Sequence, residues 1–503
     1  MANSSSVNRE TLQTQLSTQL FLGGTFCDAS DGETFEVRDP ADDSVIARVA
    51  SATEADAETA LDLAVKKQKE WENTAPRDRA ELLRRCWEAV MAHADELTLL
   101  QTWEMGRALP DSAGEVTYGA EYFRWFSEEA TRMRGDFRRA PAGNGRIVVQ
   151  RRPVGPVLAI TPWNFPLAMA TRKIGPALAA GCTIIVKPAS KTPLTMLYLA
   201  KLMKDAGLPD GVLSILPTAR SSRISALLAD PRLRKLTFTG STEVGQKLAA
   251  QAAEHSVKVS LELGGNAPFV VLEDADIDKA VTGALQAKMR NGGQACTAAN
   301  RFYVHESLAE EFIDRLGDGM AEYRMGAGWN EGVKLGPLAQ PQQVETVREL
   351  VDDAIAAGGS VLLGGEGEIA TGWKGQDADV APNESGYYYP ATLLVNVPDC
   401  ARVHREEIFG PVAVVNTFTD EADAISRAND TEYGLVSYLF TQDLNRALDV
   451  AEQLESGMVA VNRGVLSDPA APFGGVKESG LGREGGFEGI DEYTEPIYIG
   501  LEA

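Results

Sequence analysis

The sequence predicts an α/β protein with two units, each built on a parallel sheet, and a small additional β element. Short apolar runs alternate with helical stretches between residues 155 and 262, and a second such series follows Cys296. Two strand-like stretches, 146–151 and 493–501, belong to neither series. Strands alternating with helices form parallel sheets with right-handed crossovers, and 503 residues suffice for two or three domains. The predicted boundaries are 1–134 with 153–262 for the first unit, 263–480 for the second, and 135–152 with 481–503 for the β element.

The chain before residue 135 is expected to be mainly helical. Residues 1–20 have the composition of a polar arm. Residues 53–71 show an amphipathic helical pattern that opens at Thr53, with Asp56 three residues on, as in a capping box. Residues 77–131 continue with apolar side chains at helical spacing.

The first alternating series positions polar residues at the ends of its strands. Its predicted strands are 157–160, 183–186, 212–216, 236–239 and 257–261, and its predicted helices are 166–179, 193–206, 221–229 and 242–254. In parallel sheets, ligands bind beyond the carboxyl ends of the strands. Trp163, Asn164, Lys187, Gly240 and Glu262 fall there.

The second alternating series predicts a further α/β unit. Its strands are expected at 302–304, 361–363, 391–395, 412–418 and 437–440, and its helices at 307–323, 341–357, 420–428 and 443–455.

Composition and charge argue against several functional classes. A net charge of −24 opposes binding to nucleic acid or anionic membranes. No apolar run approaches the ~20 residues that cross a bilayer, and the first residues lack a secretory pattern, so we expect a cytoplasmic protein. The five cysteines and four histidines are scattered, which predicts neither a disulfide framework nor a metal site.

Cys296 and Glu262 are the residues that indicate chemistry most directly. Small and polar neighbours surround the thiol, and the carboxylate lies 34 positions earlier. A thiol and a carboxylate together suggest a covalent nucleophile and a base for acyl chemistry. On these two residues alone, a thiol hydrolase is also possible.

Three strand-to-helix loops add binding groups. Asn164 lies between two prolines in a stiff loop, where its amide suits an oxyanion hole. The stretch 238–245 places glycines at a helix start, which lets phosphate approach backbone N–H groups. Lys187, Ser190 and Lys191 lie after another strand with no acidic residue beside them, which favours a ribose carrying a 2′-phosphate.

Seven motifs together resemble the aldehyde dehydrogenase superfamily, and within it the succinate-semialdehyde dehydrogenases most closely. They occur in the family's order over about residues 20–490: TPWNFP, IIVKPAS, FTGSTEVG, LELGGNAP, NGGQACTAANR, EEIFGPV and PFGGVKESGLGREG. The resemblance implies a cofactor-binding domain on a parallel sheet, an α/β catalytic domain and a small β oligomerisation element, matching the three units above. It also implies a homodimer or homotetramer in which residues 135–152 and the tail pair across subunits.

The resemblance implies a mechanism and a cofactor site. Cys296 would attack the aldehyde, Asn164 and the backbone N–H of Cys296 would hold the oxyanion, and Glu262 would activate water to hydrolyse the thioester. The cofactor would be NADP, preferred because of Lys187, Ser190 and Lys191, with NAD possible. The implied cofactor-binding residues are Thr161, Trp163, Lys187, Ser190, Lys191, Gly240, Ser241, Gly245, Leu263, Glu407 and Phe409.

Substrate selection would fall to Arg172, Arg290 and Ser467, which match the residues that hold the carboxylate of succinate semialdehyde in relatives. An arginine fork binds a carboxylate bidentately. Glutarate semialdehyde and general aliphatic aldehydes stay open as substrates, and a non-catalytic binding protein on this fold is an alternative of another class.

Two positions depart from the family pattern. Arg463 stands where relatives carry an uncharged or acidic residue, and could add a second cationic contact or face away. Ala298 stands where some members carry a second cysteine, so a disulfide switch at Cys296 is not expected.

Overall fold

A computed structural model describes residues 7–365 and 383–502. The described strands are β1 (Leu20–Leu22), β2 (Thr25–Cys27), β3 (Thr34–Arg38), β4 (Val45–Ala50), β5 (Asp136–Arg139), β6 (Gly145–Pro153), β7 (Val157–Ile160), β8 (Ile184–Lys187), β9 (Leu213–Ile215), β10 (Lys235–Thr239), β11 (Lys258–Glu262), β12 (Ala267–Val271), β13 (Ala299–His305), β14 (Ser360–Leu363), β15 (Thr392–Val395), β16 (Val412–Phe418), β17 (Val436–Phe440), β18 (Met458–Val461), β19 (Gly480–Leu481) and β20 (Thr494–Glu502).

The described α-helices are α1 (Arg9–Gln13), α2 (Glu54–Glu72), α3 (Pro76–Ala92), α4 (Ala94–Met105), α5 (Leu109–Glu129), α6 (Ala168–Ala180), α7 (Leu194–Asp205), α8 (Ser222–Ser225), α9 (Thr242–Glu254), α10 (Ile277–Met289), α11 (Glu306–Ala321), α12 (Pro341–Ala356), α13 (Glu421–Asn429), α14 (Leu444–Gln453) and α15 (Glu488–Asp491). Short 3₁₀ turns occur at Ala226–Ala229, Arg290–Gly293, Arg402–His404 and Lys477–Ser479.

The first sheet confirms the α/β class. Its strand order is β19-β11-β10-β7-β8-β9-β1-β2. The five predicted strands, β7 to β11, are parallel to their neighbours among these five. Antiparallel strands β1, β2 and β19 extend both edges, so the sheet is mixed. These three strands are only two or three residues long and give too short a pattern to read from sequence.

The N-terminal prediction is correct at one helix and wrong in the arm. Thr53 accepts a hydrogen bond from the backbone of Asp56, and the Asp56 carboxylate accepts one from Thr53, which forms the expected capping box at α2. The predicted polar arm instead contains α1, where Leu12 is fully buried, and ends in β1. Residues 1–6 lie outside the described residues.

The second sheet has the order β14-β15-β16-β13-β12-β17-β18. The sequence predicted β13 to β17 and missed the interior strand β12 as well as β18 at the edge. β12 contains Pro268, a residue that ordinarily argues against a central strand, yet its whole length is buried and it pairs in parallel with β13 and β17.

The third sheet has the order β20-β6-β5 and is antiparallel. β20 pairs with β6 over nine residues, from Thr494 opposite Pro153 to Glu502 opposite Gly145. It lies apart from the two larger sheets, and the division of the chain into three units stays a prediction. Among the described residues, no helix has both the length and the apolar content needed to span a membrane.

Candidate active site

A cavity of about 260 Å³ lies at the carboxyl ends of the first sheet's parallel strands, and the loops leading into and out of the second sheet close it. Cys296 lies in its wall, together with residues from the loops after β7, β10, β11 and around 407. The lining residues are Pro162, Trp163, Asn164, Met169, Thr239, Gly240, Ser241, Leu263, Gly264, Cys296, Gln340, Gln343, Thr346, Glu407 and Phe409.

The loop that carries Cys296 has an unusual backbone. Asn291, Gly292 and Gly293 all have positive φ angles, of 57°, 60° and 73°. A β-carbon at Gly293 would lie 2.0 Å from the carbonyl oxygen of Gly410, so only glycine fits there. The chain thus makes a tight left-handed turn that presents Cys296 to the cavity.

Cys296 is partly exposed, whereas Cys86 and Cys182 are buried. The recessed position raises the pKa of the Cys296 thiol to about 12, and the charges of Arg172 and Arg290 act in the opposite direction. Ala298, beside it, is buried. The thiol is therefore reachable from the cavity but needs a proton acceptor to become a nucleophile.

Asn164 is held against Gln294, two residues before Cys296. The side-chain amide of Asn164 donates to the backbone carbonyl of Gln294 at 3.1 Å. The backbone carbonyl of Asn164 accepts a hydrogen bond from the side-chain amide of Asn291 at 3.1 Å. The amide has a second N–H, and the backbone N–H of Cys296 has no hydrogen-bond partner among the described residues. These two donors can serve an oxyanion formed on a substrate bound to Cys296.

A buried ion pair that the sequence did not reveal supports the Asn164 loop. Arg107 pairs with Glu115, and both side chains are almost completely buried. Arg107 also donates to the carbonyl of Asn164 at 3.2 Å, while Glu115 accepts the backbone N–H groups of Leu167 and Ala168 at 2.8 Å each. Glu115 thereby caps the start of α6, and the pair fixes the loop between β7 and α6.

Glu262 ends β11 and is buried. Burial raises its pKa well above 4.5, and the nearby charge of Glu484 adds to the rise. One carboxylate oxygen has no hydrogen-bond partner within the described part of the chain, and the other lies where a β-carbon on Gly474 would approach to 2.9 Å. Glu262 is not among the residues that line the cavity, but its charge acts on Cys296.

Lys173 and Glu484 are further site residues that the sequence analysis did not predict. The two form an ion pair at 2.5 Å in the interior, and Glu484 also pairs with Arg172. The charge of Glu484 raises the pKa of the Glu262 carboxyl, and the charges of Arg172 and Lys173 lower it. Because 311 residues separate Lys173 from Glu484, no local pattern could have joined them.

The structure brings the predicted substrate residues to one region. Arg172 is about 1% exposed, lies against the ring of Phe473 at 4.6 Å, and pairs with Glu484 through Nε. Its two terminal nitrogens, Nη1 and Nη2, have no hydrogen-bond partner among the described residues. A buried donor pair of this kind requires an acceptor, and a ligand carboxylate has the matching geometry.

Arg290 and Ser467 are both partly buried. Arg290 donates to the Thr297 hydroxyl at 3.1 Å and lies over the Phe165 ring at 5.5 Å. The phenol of Tyr118 is affected by the charges of Arg172 and Arg290 and by the hydroxyl of Ser467. The three predicted residues therefore lie around one point, the Tyr118 phenol. Arg463 is exposed and donates to the nearby carbonyl of Val465 at 2.5 Å, so it faces away from this point.

The adenosine end of the predicted cofactor site lies between the ends of β7 and β8. The backbone N–H of Thr161 donates to the carbonyl of Lys187 at 3.1 Å, which joins the two loops. Lys187 is buried, which lowers its pKa to about 8, and no acidic group contributes to that shift. Ser190 is partly exposed and Lys191 is exposed. An unpaired buried ammonium of this kind fits a ribose or phosphate oxygen.

The start of α9 fits a pyrophosphate group. Gly240 and Ser241 line the cavity, and Ser241 holds the N-cap position without a side-chain cap. Free N–H groups at a helix start attract anions. Gly245 does not line the cavity. A β-carbon there would lie 2.3 Å from Leu263 Cδ2, so this glycine allows Leu263 to pack into the cavity wall.

Glu407 and Phe409 complete the cavity next to the thiol. Glu407 accepts the backbone N–H of Gly265 at 3.3 Å, and burial raises its pKa to about 8. Phe409 has a left-handed φ of 53°, and its ring meets the Trp163 ring edge-on at 5.4 Å. Such a strained bulky residue persists where neighbours fix it, and here the two rings form an apolar wall beside Cys296.

Comparison with known proteins establishes the family. The aldehyde dehydrogenase family model matches residues 26–499. The chain belongs to the aldehyde dehydrogenase family. It is 52% identical to a succinate-semialdehyde dehydrogenase of Paenarthrobacter nicotinovorans over 91% of this chain and 99% of that protein. It is 44% identical to a glutarate-semialdehyde dehydrogenase of Pseudomonas aeruginosa over 96% of this chain and 97% of that one.

A crystal structure of an NADP-dependent enzyme from E. coli superimposes with a TM-score of 0.93 and is 42% identical, covering 99% of this chain and 100% of the other. As a member of this family, the protein is an oxidoreductase that acts on aldehydes with NAD(P). Within residues 7–365 and 383–502, no three His, Cys, Asp or Glu side chains are grouped as metal ligands.

Proposed function

We propose that this aldehyde dehydrogenase oxidises succinate semialdehyde to succinate, with NADP preferred over NAD. The observation that carries the choice of substrate is the buried guanidinium of Arg172, whose two terminal nitrogens lack partners among residues 7–365 and 383–502. A charged donor pair in an interior site is costly unless a ligand acceptor pairs with it. An aldehyde with a distal carboxylate supplies that acceptor while its carbonyl reaches the thiol.

Cys296 forms the covalent bond to substrate. Its thiol gives up its proton to water in the cavity, and the sulfur then adds to the aldehyde carbon as the thiolate, which gives a thiohemiacetal. The second amide N–H of Asn164 and the backbone N–H of Cys296 donate to the oxyanion. Arg107 and Asn291 fix the position of Asn164, because both donate hydrogen bonds to its backbone carbonyl. Donors fixed before the reaction are worth more than mobile ones.

The cofactor, when bound, accepts a hydride and so oxidises the thiohemiacetal carbon to a thioester. On this chain, Ser241 and Gly240 would bind the pyrophosphate, and Trp163 and Phe409 would shield the site from water. Glu407 would hold the ribose next to the nicotinamide. Lys187, Ser190 and Lys191 present positive charge and a hydroxyl without an acidic neighbour, which suits the 2′-phosphate of NADP.

Glu262 completes the cycle as a general base. Its carboxylate takes a proton from water as the water oxygen adds to the thioester carbon. The carbon–sulfur bond then breaks, the proton passes from Glu262 to the departing sulfur, and the acid is released. The raised pKa of Glu262 makes it a stronger base once it has lost its proton. Lys173 and Arg172 offset part of the cost of that negative charge.

Glutarate semialdehyde is a second candidate substrate, favoured by the 44% identity to a glutarate-semialdehyde dehydrogenase. It carries the same two functional groups, one methylene further apart. The same arginine could bind either carboxylate, so the length of the space between Cys296 and Arg172 decides between them.

One substrate panel tests the proposal. Purified enzyme should be assayed with succinate semialdehyde, glutarate semialdehyde and butyraldehyde, each with NADP and with NAD. We expect kcat/KM to be at least about a hundredfold higher for succinate semialdehyde than for butyraldehyde, since a charged bidentate pair is worth several kcal/mol. Equal values for these two would refute the role of the arginines, and a higher kcat/KM with NAD would refute the cofactor preference.

We also propose a homodimer or homotetramer in which the sheet of β5, β6 and β20 joins subunits. Light scattering coupled to size-exclusion chromatography tests this, and a monomer would contradict it. A cytoplasmic location is part of the same proposal and is supported by five cysteines that are all free thiols, as expected of a reducing compartment.

A further inference from the structure

Two tyrosines on one face of α5 lie beside the predicted carboxylate site. Tyr118 and Tyr122 are four residues apart, which places them on adjacent turns of the same helical face. Their hydroxyl oxygens are 2.6 Å apart, which is a hydrogen bond in which either group can donate. Tyr122 is completely buried, and Tyr118 is partly exposed.

Tyr118 forms part of the wall between the thiol and the arginines. It packs on a small apolar cluster of Phe165, Ala168, Met169, Ala295 and Ala298. Ala295 directly precedes Cys296 in the chain, and Ala168 lies one helical turn before Arg172 on α6. A substrate that reaches from the thiol to Arg172 must therefore pass this cluster and the phenol of Tyr118.

The charges around the two phenols identify which end of the substrate they meet. Arg172, Arg290 and Ser467 all interact with the Tyr118 phenol, and Arg172 also acts on Tyr122. Among the described residues, the hydroxyl of Tyr122 forms a hydrogen bond with Tyr118 and with no other group. The guanidinium of Arg172 has donors and no acceptor, so it cannot receive the Tyr122 proton.

The direction of the hydrogen bond follows from burial. A buried donor left without an acceptor is costly, so the fully buried hydroxyl of Tyr122 uses its proton on the oxygen of Tyr118. The proton of Tyr118 is then free, and its partly exposed side chain can turn that proton toward a ligand. The pair thus presents one directed O–H donor next to the unpaired terminal nitrogens of Arg172.

We propose that Tyr118 is a further specificity-determining residue, which donates a hydrogen bond to the distal carboxylate of the substrate, and that Tyr122 is the positioning residue that orients this donor. The inference rests on the proposed function, because it requires a substrate with a distal carboxylate. A carboxylate accepts about four hydrogen bonds, enough for both terminal nitrogens of Arg172, the phenol and one further donor.

Tyrosine-to-phenylalanine variants test this with the loss of a single oxygen atom. Tyr118→Phe, Tyr122→Phe and the double variant should be assayed with NADP on succinate semialdehyde and on butyraldehyde, which lacks the carboxylate. For Tyr118→Phe we expect kcat/KM on succinate semialdehyde to fall about tenfold, mainly through KM, as for a hydrogen bond to a charged group. On butyraldehyde it should stay within about twofold.

Tyr122→Phe should produce a smaller loss, about threefold, again on succinate semialdehyde alone. If Tyr122 acts through Tyr118, the double variant should be no worse than Tyr118→Phe. The matched control is Tyr198→Phe on α7, whose ring lies against His93 and Lys201 and does not line the cavity, and this variant should match wild type on both aldehydes. Retained butyraldehyde turnover shows that each variant is folded.

These assays distinguish a failure of the proposed function from a failure of the role inferred for Tyr118. If wild type itself shows no preference for succinate semialdehyde over butyraldehyde, the proposed function fails and this inference fails with it. If wild type shows the preference but Tyr118→Phe keeps full activity on succinate semialdehyde, or loses activity equally on both aldehydes, only the role of Tyr118 is overturned. Losses that multiply in the double variant would overturn the positioning role of Tyr122.

Discussion

Replacing Arg172 with methionine should separate recognition of the carboxylate from the chemistry at the thiol. Methionine retains an unbranched chain that can pack on Phe473 but has no charge and no donors. The variant loses two terminal nitrogens that are free to bind a carboxylate. Two hydrogen bonds to a charged group, at about 1.5–3 kcal/mol each and partly overlapping, give about 3–4 kcal/mol. That corresponds to a loss of about 10²–10³ in kcat/KM on succinate semialdehyde.

The same change should cost moderate stability. Glu484 loses one partner but keeps its ion pair with Lys173 at 2.5 Å. We therefore expect the free energy of unfolding to fall by about 1–3 kcal/mol, less than the ~3–5 kcal/mol for a buried charge left without any partner. Urea unfolding at the assay temperature measures this loss, and the kinetic comparison is valid while the variant is folded.

Steady-state kinetics on succinate semialdehyde and butyraldehyde give the decisive ratio. The loss should be much larger on succinate semialdehyde, because butyraldehyde ends in a methyl group and should lose only what the missing Arg172 charge costs at Cys296 and Glu262. Arg463→Met is the matched control, since that arginine is exposed and bonded to Val465, and it should match wild type. An equal loss on both aldehydes would show that Arg172 supports the site structurally and does not bind the carboxylate.

Three further predictions follow from other parts of the site. Glu262→Gln should give a burst of reduced cofactor in stopped flow and then turn over at least about a hundredfold more slowly. Normal turnover of this variant would disprove the assignment. The kcat of the wild-type enzyme should rise with pH, because burial raises the pKa of Glu262 and only the deprotonated form is a base. Ser190→Glu should lower kcat/KM with NADP at least about tenfold and affect NAD less, since a carboxylate repels a 2′-phosphate; an unchanged ratio between the cofactors would place the phosphate elsewhere. Arg107→Lys keeps a charge for Glu115 but not the fork that reaches the Asn164 carbonyl, so kcat should fall up to about tenfold on both aldehydes alike; full activity would show that Asn164 is held without it.

The sequence predicted most of the regular structure because it contains strong local signals. Apolar runs of four or five residues bounded by Pro or Gly gave the five central strands of the first sheet. The short antiparallel strands β1, β2 and β19 were missed because two or three residues carry no periodicity. No strand was predicted at β12, which contains Pro268, a residue that ordinarily argues against a central strand, whereas the structure tolerates it in a fully buried one.

The site residues were likewise predicted where a short motif marks them and missed where their role depends on a contact that no sequence pattern reveals. Cys296, Asn164 and the glycine-rich loop after β10 lie in short motifs whose residue types already indicate their chemistry. Lys173 and Glu484 were missed because their partnership depends on a chain separation of 311 residues. Arg107 and Glu115 are only eight residues apart, but charged residues are ordinarily exposed, and no sequence pattern marks these two as buried.

Two buried carboxyl groups explain why one helix start, among three neighbouring ones, is suited to a phosphate. Glu115 accepts the first N–H groups of α6, and Glu104 accepts those of Leu194 and Thr195 at the start of α7, at 2.8 and 2.9 Å. Both helices therefore present a negative group where an anion would otherwise bind. Among the described residues, no side chain caps α9. An anionic cofactor thus meets repulsion at two helix starts and free N–H donors at the third, which lies in the wall of the cavity that contains Cys296.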